Sequence, residues 1–457
     1  MLFNSFVFLL GFLPLALALH GLVERFAPTW RLPVLAGLSF VFYGYWDWRF
    51  VPLLGFSILL NWLIAEAFQK TRVGGLITLA IVLNLAVLAL FKYFNFFADL
   101  AGMIPGLPAP KLDLALPLGI SFFTFHHVMY LTDLRRGEAP RYDLVRYALY
   151  IAFFPQVLAG PLVRWREIMH QFDERPYLRS DAAERIARGL ILLTIGLAKK
   201  VLLGDPLAEY VNPVFAAAAQ GQAIGPGEAW QATLAFTFQI YFDFSGYTDM
   251  ALGLALLFGI VLPQNFDTPY RSISLQDFWR RWHMTLSRFL RDYLYIPLGG
   301  SRHGLPLQLW ALFATMALGG LWHGAGLNFV AWGAAHGVVL AIGVLWRRAG
   351  LPMPQLLGWA LTFLFVAFSW VLFRATSFDA ALAIYKGLLG LNPAGAGFKW
   401  RALLPAAAVA IIGPTAWAMA WKLPPARWLA VVTAILFVLV LFKIGDDANF
   451  EFIYFQF

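Results

Sequence analysis

Long apolar stretches recur along almost the whole chain and constrain its fold more than any other feature. Stretches of suitable size fall at roughly 2–19, 32–46, 50–68, 74–98, 114–131, 145–162, 186–203, 228–242, 246–262, 306–322, 327–346, 356–373, 403–421 and 427–443. A helix needs about 20 apolar residues to cross a bilayer core, with a range of about 17–25. Backbone polar groups in hydrocarbon must pair inside their own segment, so such stretches are helices. Several are short or carry proline, glycine or charge, as re-entrant and interfacial segments do. The expected fold is an all-α, polytopic membrane helical bundle of about 10–12 spans plus interfacial or re-entrant helices.

Composition points the same way. Of 457 residues, 60% are hydrophobic and 13% charged, whereas soluble domains are about 45–50% apolar and about 25% charged. No stretch is polar enough for a sizeable soluble domain. A single integral-membrane domain over 1–457 is therefore expected, with a motif-rich core at about 119–374. The stretch from Leu2 to Leu19 has no basic flank before it and reads as the first span rather than a removed signal.

The net charge of +9 reads as Lys and Arg in cytoplasm-facing loops that set topology. Nucleic-acid binding calls for a water-exposed basic domain, and the chain offers none. The absence of cysteine excludes a cysteine nucleophile, an acyl-cysteine intermediate, disulfides and thiolate metal sites. The run Phe40–Phe50 is dense in aromatics and reads as an interfacial belt. The mixed-charge segment 163–185 reads as a water-facing loop or surface helix, and His20, His170 and His303 as solvated.

Against this apolar background the stretch from Asn265 to Gly337 stands out, because Arg, Trp, Asp and His crowd together there. A helix is expected from about Ser274 to Tyr295, stopped by Pro297. At 100° per residue, Asp277, Arg281, Met284, Arg288, Arg291 and Asp292 share one side, over about 100°. Phe278, Trp282, Leu286, Phe289, Leu290 and Tyr293 take the other. Such a helix is too charged for an ordinary span and suits the interface or a polar cavity. His283 falls on the apolar side of one seam, facing the bundle. His323 ends an apolar run and is flanked by Gly319-Gly320 and Gly324-Ala325-Gly326, which suggests a helix break or a close backbone approach. An ionisable residue at membrane depth is costly and marks a functional site.

Other polar features carry weaker signals. His126-His127 and His336 read as packing residues. Asp243, Ser245 and Asp249 interrupt an apolar region. They are expected to pair with the arginines of the 280s, to line a cavity or to orient a histidine, with pairing the simplest reading. No G-x-S-x-G elbow, Walker A or dinucleotide fingerprint occurs. A histidine pair could bind zinc, but no H-E-x-x-H or cysteine set supports a metal site.

Trp279-Arg280-Arg281-Trp282-His283-Met284-Thr285-Leu286-Ser287, Leu321-Trp322-His323-Gly324 and Tyr241–Met250 resemble the membrane-bound O-acyltransferase family. The resemblance is to its bacterial branch, which contains the alginate O-acetylation membrane subunit and the D-alanine export protein of teichoic acid modification. Gly119–Phe125, Phe154-Pro155-Gln156, Ala159-Gly160-Pro161, Phe373-Arg374-Ala375 and the closing run Phe452–Phe457 extend it over most of the chain.

The resemblance implies a bundle around a central funnel or tunnel, with His323 as principal catalytic residue and His283 as the second active-site position. Trp279, Arg280, Arg281, Trp282, Ser287, Arg288, Asp243, Ser245, Asp249 and Trp322 are then donor- or acceptor-binding or supporting residues. It implies acyl transfer, acetyl foremost, from a cytoplasmic thioester to a hydroxyl across the membrane. The donor is acetyl-CoA or an acyl-carrier thioester, with no bound cofactor. The acceptor is a cell-surface or secreted polysaccharide, an alginate-like exopolysaccharide foremost, reached through a periplasmic or extracellular acetyltransferase partner. The location is the bacterial inner membrane, multi-pass.

D-alanyl transfer to teichoic acid and peptidoglycan O-acetylation are the alternatives within the family. Outside it stands a transporter with intramembrane His and Asp, for which inverted repeats would be the sign; none is visible. In chemical terms His323 would act as general base, the arginine face would hold donor phosphates, and His283 or nearby backbone N–H groups would stabilise the oxyanion.

Overall fold

The computed structural model describes residues 1–105, 107, 109–423, 426–446, 452 and 453. The described residues form helices joined by loops, with no strand among them. Among the described residues seven helices are long and apolar enough to cross a membrane, or eight if the bent pair Trp400–Ile411 and Ala416–Lys422 is one span. The larger number expected from sequence also counted apolar stretches whose helices are shorter or more polar, among them Arg31–Gly44, Leu144–Ala152 and Ala182–Ala198. Ile120–Arg135 has only 16 residues, and the 32-residue Pro226–Leu257 helix carries Glu228, Gln231, Gln239, Asp243 and Asp249. Of the closing run, Tyr454–Phe457 lies outside the described residues.

The chain forms two compact units that interleave in sequence: Met1–Ile195 with Tyr247–Pro263 and Leu423–Gly445, and Gly196–Gly246 with Gln264–Lys422 and Asp446–Phe457. In the first, Phe3, Phe8, Phe12, Phe42, Phe154 and Phe258 form a connected aromatic core. His126 is held between the Phe122 carbonyl (2.9 Å) and the Val163 N–H (3.3 Å), and His127 between Ser57 (3.0 Å) and Tyr147 (2.7 Å). Both are packing residues. Tyr45, Trp46 and Trp48 are exposed while Phe42 and Tyr43 are buried, the division expected of an interfacial belt.

Segment 163–185 is folded into short helical turns carrying exposed ion pairs such as Arg179–Glu174 and Arg179–Asp181, each worth little. His20 departs from its expected solvation. It is fully buried, edge-on to Tyr177 and Phe258 at 5.3 Å. Those partners lie far away in sequence, so nothing near His20 announced the burial.

In the second unit the Leu305–His323 and Leu327–Arg348 helices form a hairpin closed by glycines. A Cβ on Gly320 would stand 2.2 Å from the Phe329 carbonyl oxygen, and one on Gly333 would stand 2.2 Å from that of Met316. Only glycine lets the two backbones approach this closely, the usual device of membrane helix pairs. The hairpin fixes where His323, the last residue of its first helix, is held.

The single helix expected over 274–295 is broken. One helix covers Leu275–Arg281, a second Met284–Leu290, and a π-helical turn follows at Arg291–Tyr295. Trp282 is extended and His283 adopts the left-handed conformation, φ 42°. The sidedness holds all the same: Phe278, Trp282, Leu286, Phe289 and Leu290 are buried.

Candidate active site

The break that displays His283 is made by Asn265. Its backbone carbonyl accepts the Met284 N–H at 2.9 Å. Its side-chain Oδ1 accepts the Thr285 N–H at 3.1 Å and the Thr285 hydroxyl at 2.8 Å. The backbone N–H identifies that amide atom as oxygen. His283 Nδ1 lies 3.3 Å from the same oxygen, so Nδ1 carries the proton and Nε2 the lone pair. The imidazole is fully buried, which pushes its pKa down to about 3 because the charged form is poorly solvated. Left-handed backbone in a non-glycine residue costs about 1–3 kcal/mol and is kept where the surroundings impose it. Here the Asn265 bonds impose it.

His323 is 5% exposed and sits in an aromatic box: Trp322 at 4.8 Å, Trp332 at 5.2 Å and Phe373 at 5.3 Å. His283 packs on the same Trp322 indole at 6.2 Å. Trp322 is thus the ring common to both imidazoles, although they lie 40 positions apart. The chain leaves the helix at once, with Gly324 and Gly326 extended. A Cβ on Gly324 would run into the Phe329 ring at 2.2 Å, so the glycine following His323 is needed for the turn.

His336 has a different task. Its Nδ1 accepts the Trp279 indole N–H at 3.2 Å, and its Nε2 meets the Ser369 hydroxyl at 3.0 Å, which itself donates to the Val366 carbonyl at 2.8 Å. Both ring nitrogens are committed, so this histidine is structural and fixes the Trp279 ring.

Trp279 also lines a cavity of about 410 Å³, together with Arg280, Ser287, Arg288, Arg291 and Arg347. Arg280, Arg291 and Arg347 are exposed, and no carboxylate occurs among the described residues of its lining. Thr315, 5% exposed, lines the cavity, and its buried hydroxyl has no hydrogen-bond partner among the described residues. Trp279 packs on Trp332 at 6.0 Å, and Trp332 is a wall of the His323 box. The cavity is therefore two indoles away from His323.

Several sequence candidates lie elsewhere. Arg281 pairs with Asp277 at 2.9 Å and with Asp267 at 3.8 Å, away from the cavity lining. Trp282 is core, stacked on Phe278 at 5.5 Å and packed on Trp370 at 5.1 Å. Asp243 does not pair with the arginines of the 280s. Its partner is Lys200 at 2.8 Å, which also holds Asp205 at 2.5 Å. Ser245 lies 3.4 Å from the Lys199 ammonium. Asp249 is buried within the first unit.

Asn265, Thr315, Arg347, Trp332 and the Lys199-Lys200 pair went unremarked as site residues. Only the lysines carried a local signal, as two charges at the end of an apolar stretch. The other roles depend on tertiary neighbours. Among the described residues no group of three or more His, Cys, Asp or Glu could hold a metal ion.

An all-helical, multi-pass membrane bundle with two buried histidines around one tryptophan, beside a basic cavity, defines the class. The chain belongs to the MBOAT, membrane-bound O-acyltransferase family, whose model matches residues 67–380, and is an acyltransferase. It is 37% identical over 431 residues to the peptidoglycan O-acetyltransferase of Helicobacter pylori, with 86% of this chain and 80% of that protein covered. It is 41% identical over 405 residues to the probable alginate O-acetylase AlgI of Pseudomonas aeruginosa, covering 86% of this chain and 75% of that protein. The teichoic acid D-alanyltransferase of Bacillus subtilis is more distant, 26% identical over 326 residues, 68% of this chain and 80% of that protein.

Proposed function

We propose that the protein is an O-acetyltransferase of the bacterial inner membrane. It passes an acetyl group from a cytoplasmic thioester to a hydroxyl, for O-acetylation of a cell-surface or secreted polysaccharide. The observation that carries acetyl over D-alanyl transfer is the likeness to relatives named O-acetylases, 37–41% over 86% of the chain, against 26% over 68% for the D-alanyltransferase. An alginate-like exopolysaccharide is the favoured acceptor, reached through a periplasmic acetyltransferase partner.

His323 takes the proton of the acceptor hydroxyl as the oxygen attacks the thioester carbonyl. A C–O bond forms, the C–S bond breaks, and the departing thiolate recovers the proton from the imidazolium. A positioned general base contributes about 10²–10⁴-fold. The oxyanion role expected for His283 does not suit its tautomer, because the proton is on Nδ1 and turned to Asn265. Its Nε2 lone pair suits accepting and orienting the acceptor hydroxyl instead. The arginine-lined cavity suits the phosphates of coenzyme A or of a carrier's pantetheine arm, since guanidinium groups bind phosphate bidentately. The aromatic box excludes water, which would otherwise hydrolyse the thioester.

The test is purified protein in detergent with labelled acetyl-CoA or acetylated carrier protein and an oligosaccharide acceptor. His323→Ala should abolish transfer and thermal unfolding should be unchanged. Near-normal transfer by that variant would sink the assignment.

A further inference from the structure

Asp243 holds two things at once. Its Oδ1 is 2.8 Å from the Lys200 ammonium, and its Oδ2 accepts the Ile453 N–H at 2.8 Å, across 210 positions of sequence. All three residues are buried. Phe452, 2% exposed, packs on Phe244 at 6.0 Å. Phe244 stands edge-on to the His283 imidazole at 4.7 Å and 88°. Phe244 therefore bridges the C-terminal segment and the histidine, and its own backbone position is fixed by the carboxylate next to it in sequence. A carboxylate whose two oxygens are separately satisfied in a dry site is a rigid anchor. Losing one partner leaves the other group buried and uncompensated.

We propose that Asp243 is a positioning residue that clamps the C-terminal segment at Phe452-Ile453, and that the clamp sets the His283 ring through Phe244. Acyl transfer then requires Phe452-Ile453 to be docked. A chain that has not yet docked this segment has every active-site residue but a loose imidazole. This rests on the acyl-transfer role proposed for His283. A misplacement of about 1 Å at a reacting group can cost about 10²-fold, so small movements suffice.

Two measurements test it. The chain has no cysteine of its own, so Ile453→Cys gives a single label site. That thiol should resist maleimide in detergent and become reactive when Asp243→Ala is added; unaltered protection overturns the clamp. In the cysteine-free protein, Phe452→Ala should lower kcat by about tenfold or more with donor KM unchanged, while Phe452→Tyr, which keeps the ring, stays near the parent.

Phe244→Leu should lose as much as Phe452→Ala, and the double variant no more than either, because both break one pathway. Losses that multiply in the double variant, or a parental kcat in Phe452→Ala, overturn the positioning role. Size-exclusion profiles and thermal unfolding identify any variant that fails to fold. The labelling result does not depend on acyl transfer, so failure of the clamp and failure of the acyl-transfer reading are told apart.

Discussion

Asn265→Ala removes one side-chain oxygen and, with it, the acceptor that makes the break before Met284. The Thr285 N–H and the His283 Nδ1–H both lose their partner in a buried site. Each stranded donor costs about 1–3 kcal/mol, about 2–6 kcal/mol together. The Thr285 hydroxyl can rotate to another acceptor and adds little. Asn265 Nδ2 has no hydrogen-bond partner among the described residues, and deleting it offsets about 1–2 kcal/mol. The net expectation is a loss of about 1–4 kcal/mol.

Activity should fall further than stability. Without Asn265 Oδ1 the imidazole can shift its proton to Nε2, turning an acceptor into a donor at the reacting face. In a catalytic triad, loss of the group that fixes the tautomer drops kcat by about 10⁴-fold, and a loss of at least about 10²-fold is expected here. Asn265→Asp separates the two effects, because a carboxylate still accepts from Thr285 and Nδ1. Detergent-solubilised variants would be compared by denaturant unfolding and by initial rates of acetyl transfer under saturating donor. The reasoning is refuted if Asn265→Ala unfolds at the wild-type midpoint with wild-type kcat, or if Asn265→Asp is as inactive as Asn265→Ala.

Gly333→Ala forces a Cβ against the Met316 carbonyl and should destabilise by about 1–3 kcal/mol, read as a lower thermal midpoint with reduced transfer. Arg280→Glu and Arg347→Glu place a negative charge on the cavity rim; donor KM should rise and its salt dependence flatten, with kcat at saturation nearly kept. His283, with a folded pKa of about 3 against about 6.5 when unfolded, gives no inflection in kcat between about pH 5 and 8. Its unfolded form binds the proton first, so its contribution to stability is full above about pH 6.5 and is lost as pH falls from there toward the folded value. His283→Gln should flatten that acid limb of the unfolding curve.

The apolar stretches announced the membrane bundle because a bilayer admits helices and little else. The buried side of 275–290 was equally plain, since a helical projection needs only neighbouring residues. The break at Trp282-His283 was not, because its cause is an asparagine 18 positions upstream. The partner of Asp243 is hidden from the sequence for the same reason. Nearby arginines looked available, but the carboxylate meets Lys200 on an earlier segment. The glycines around His323 did signal close backbone approach, and the Gly320–Gly333 contact bears that out. The resemblance of the Trp-His motifs to the family is matched by the family model over 67–380. Motif membership alone did not separate Trp282, which is core, from Trp279, which lines the cavity.

The glycine-closed hairpin has a mechanical consequence. Helices separated by interdigitated side chains can slide a little by changing rotamers. Around Gly320 and Gly333 the two backbones touch with no side chains between them. His323 and His336 therefore ride on one rigid lever, and through its indole bond Trp279 at the cavity wall rides with them. A ligand that shifts Trp279 should tilt the whole lever rather than bend it, so spin labels on its two arms would keep their separation whether donor is bound or absent.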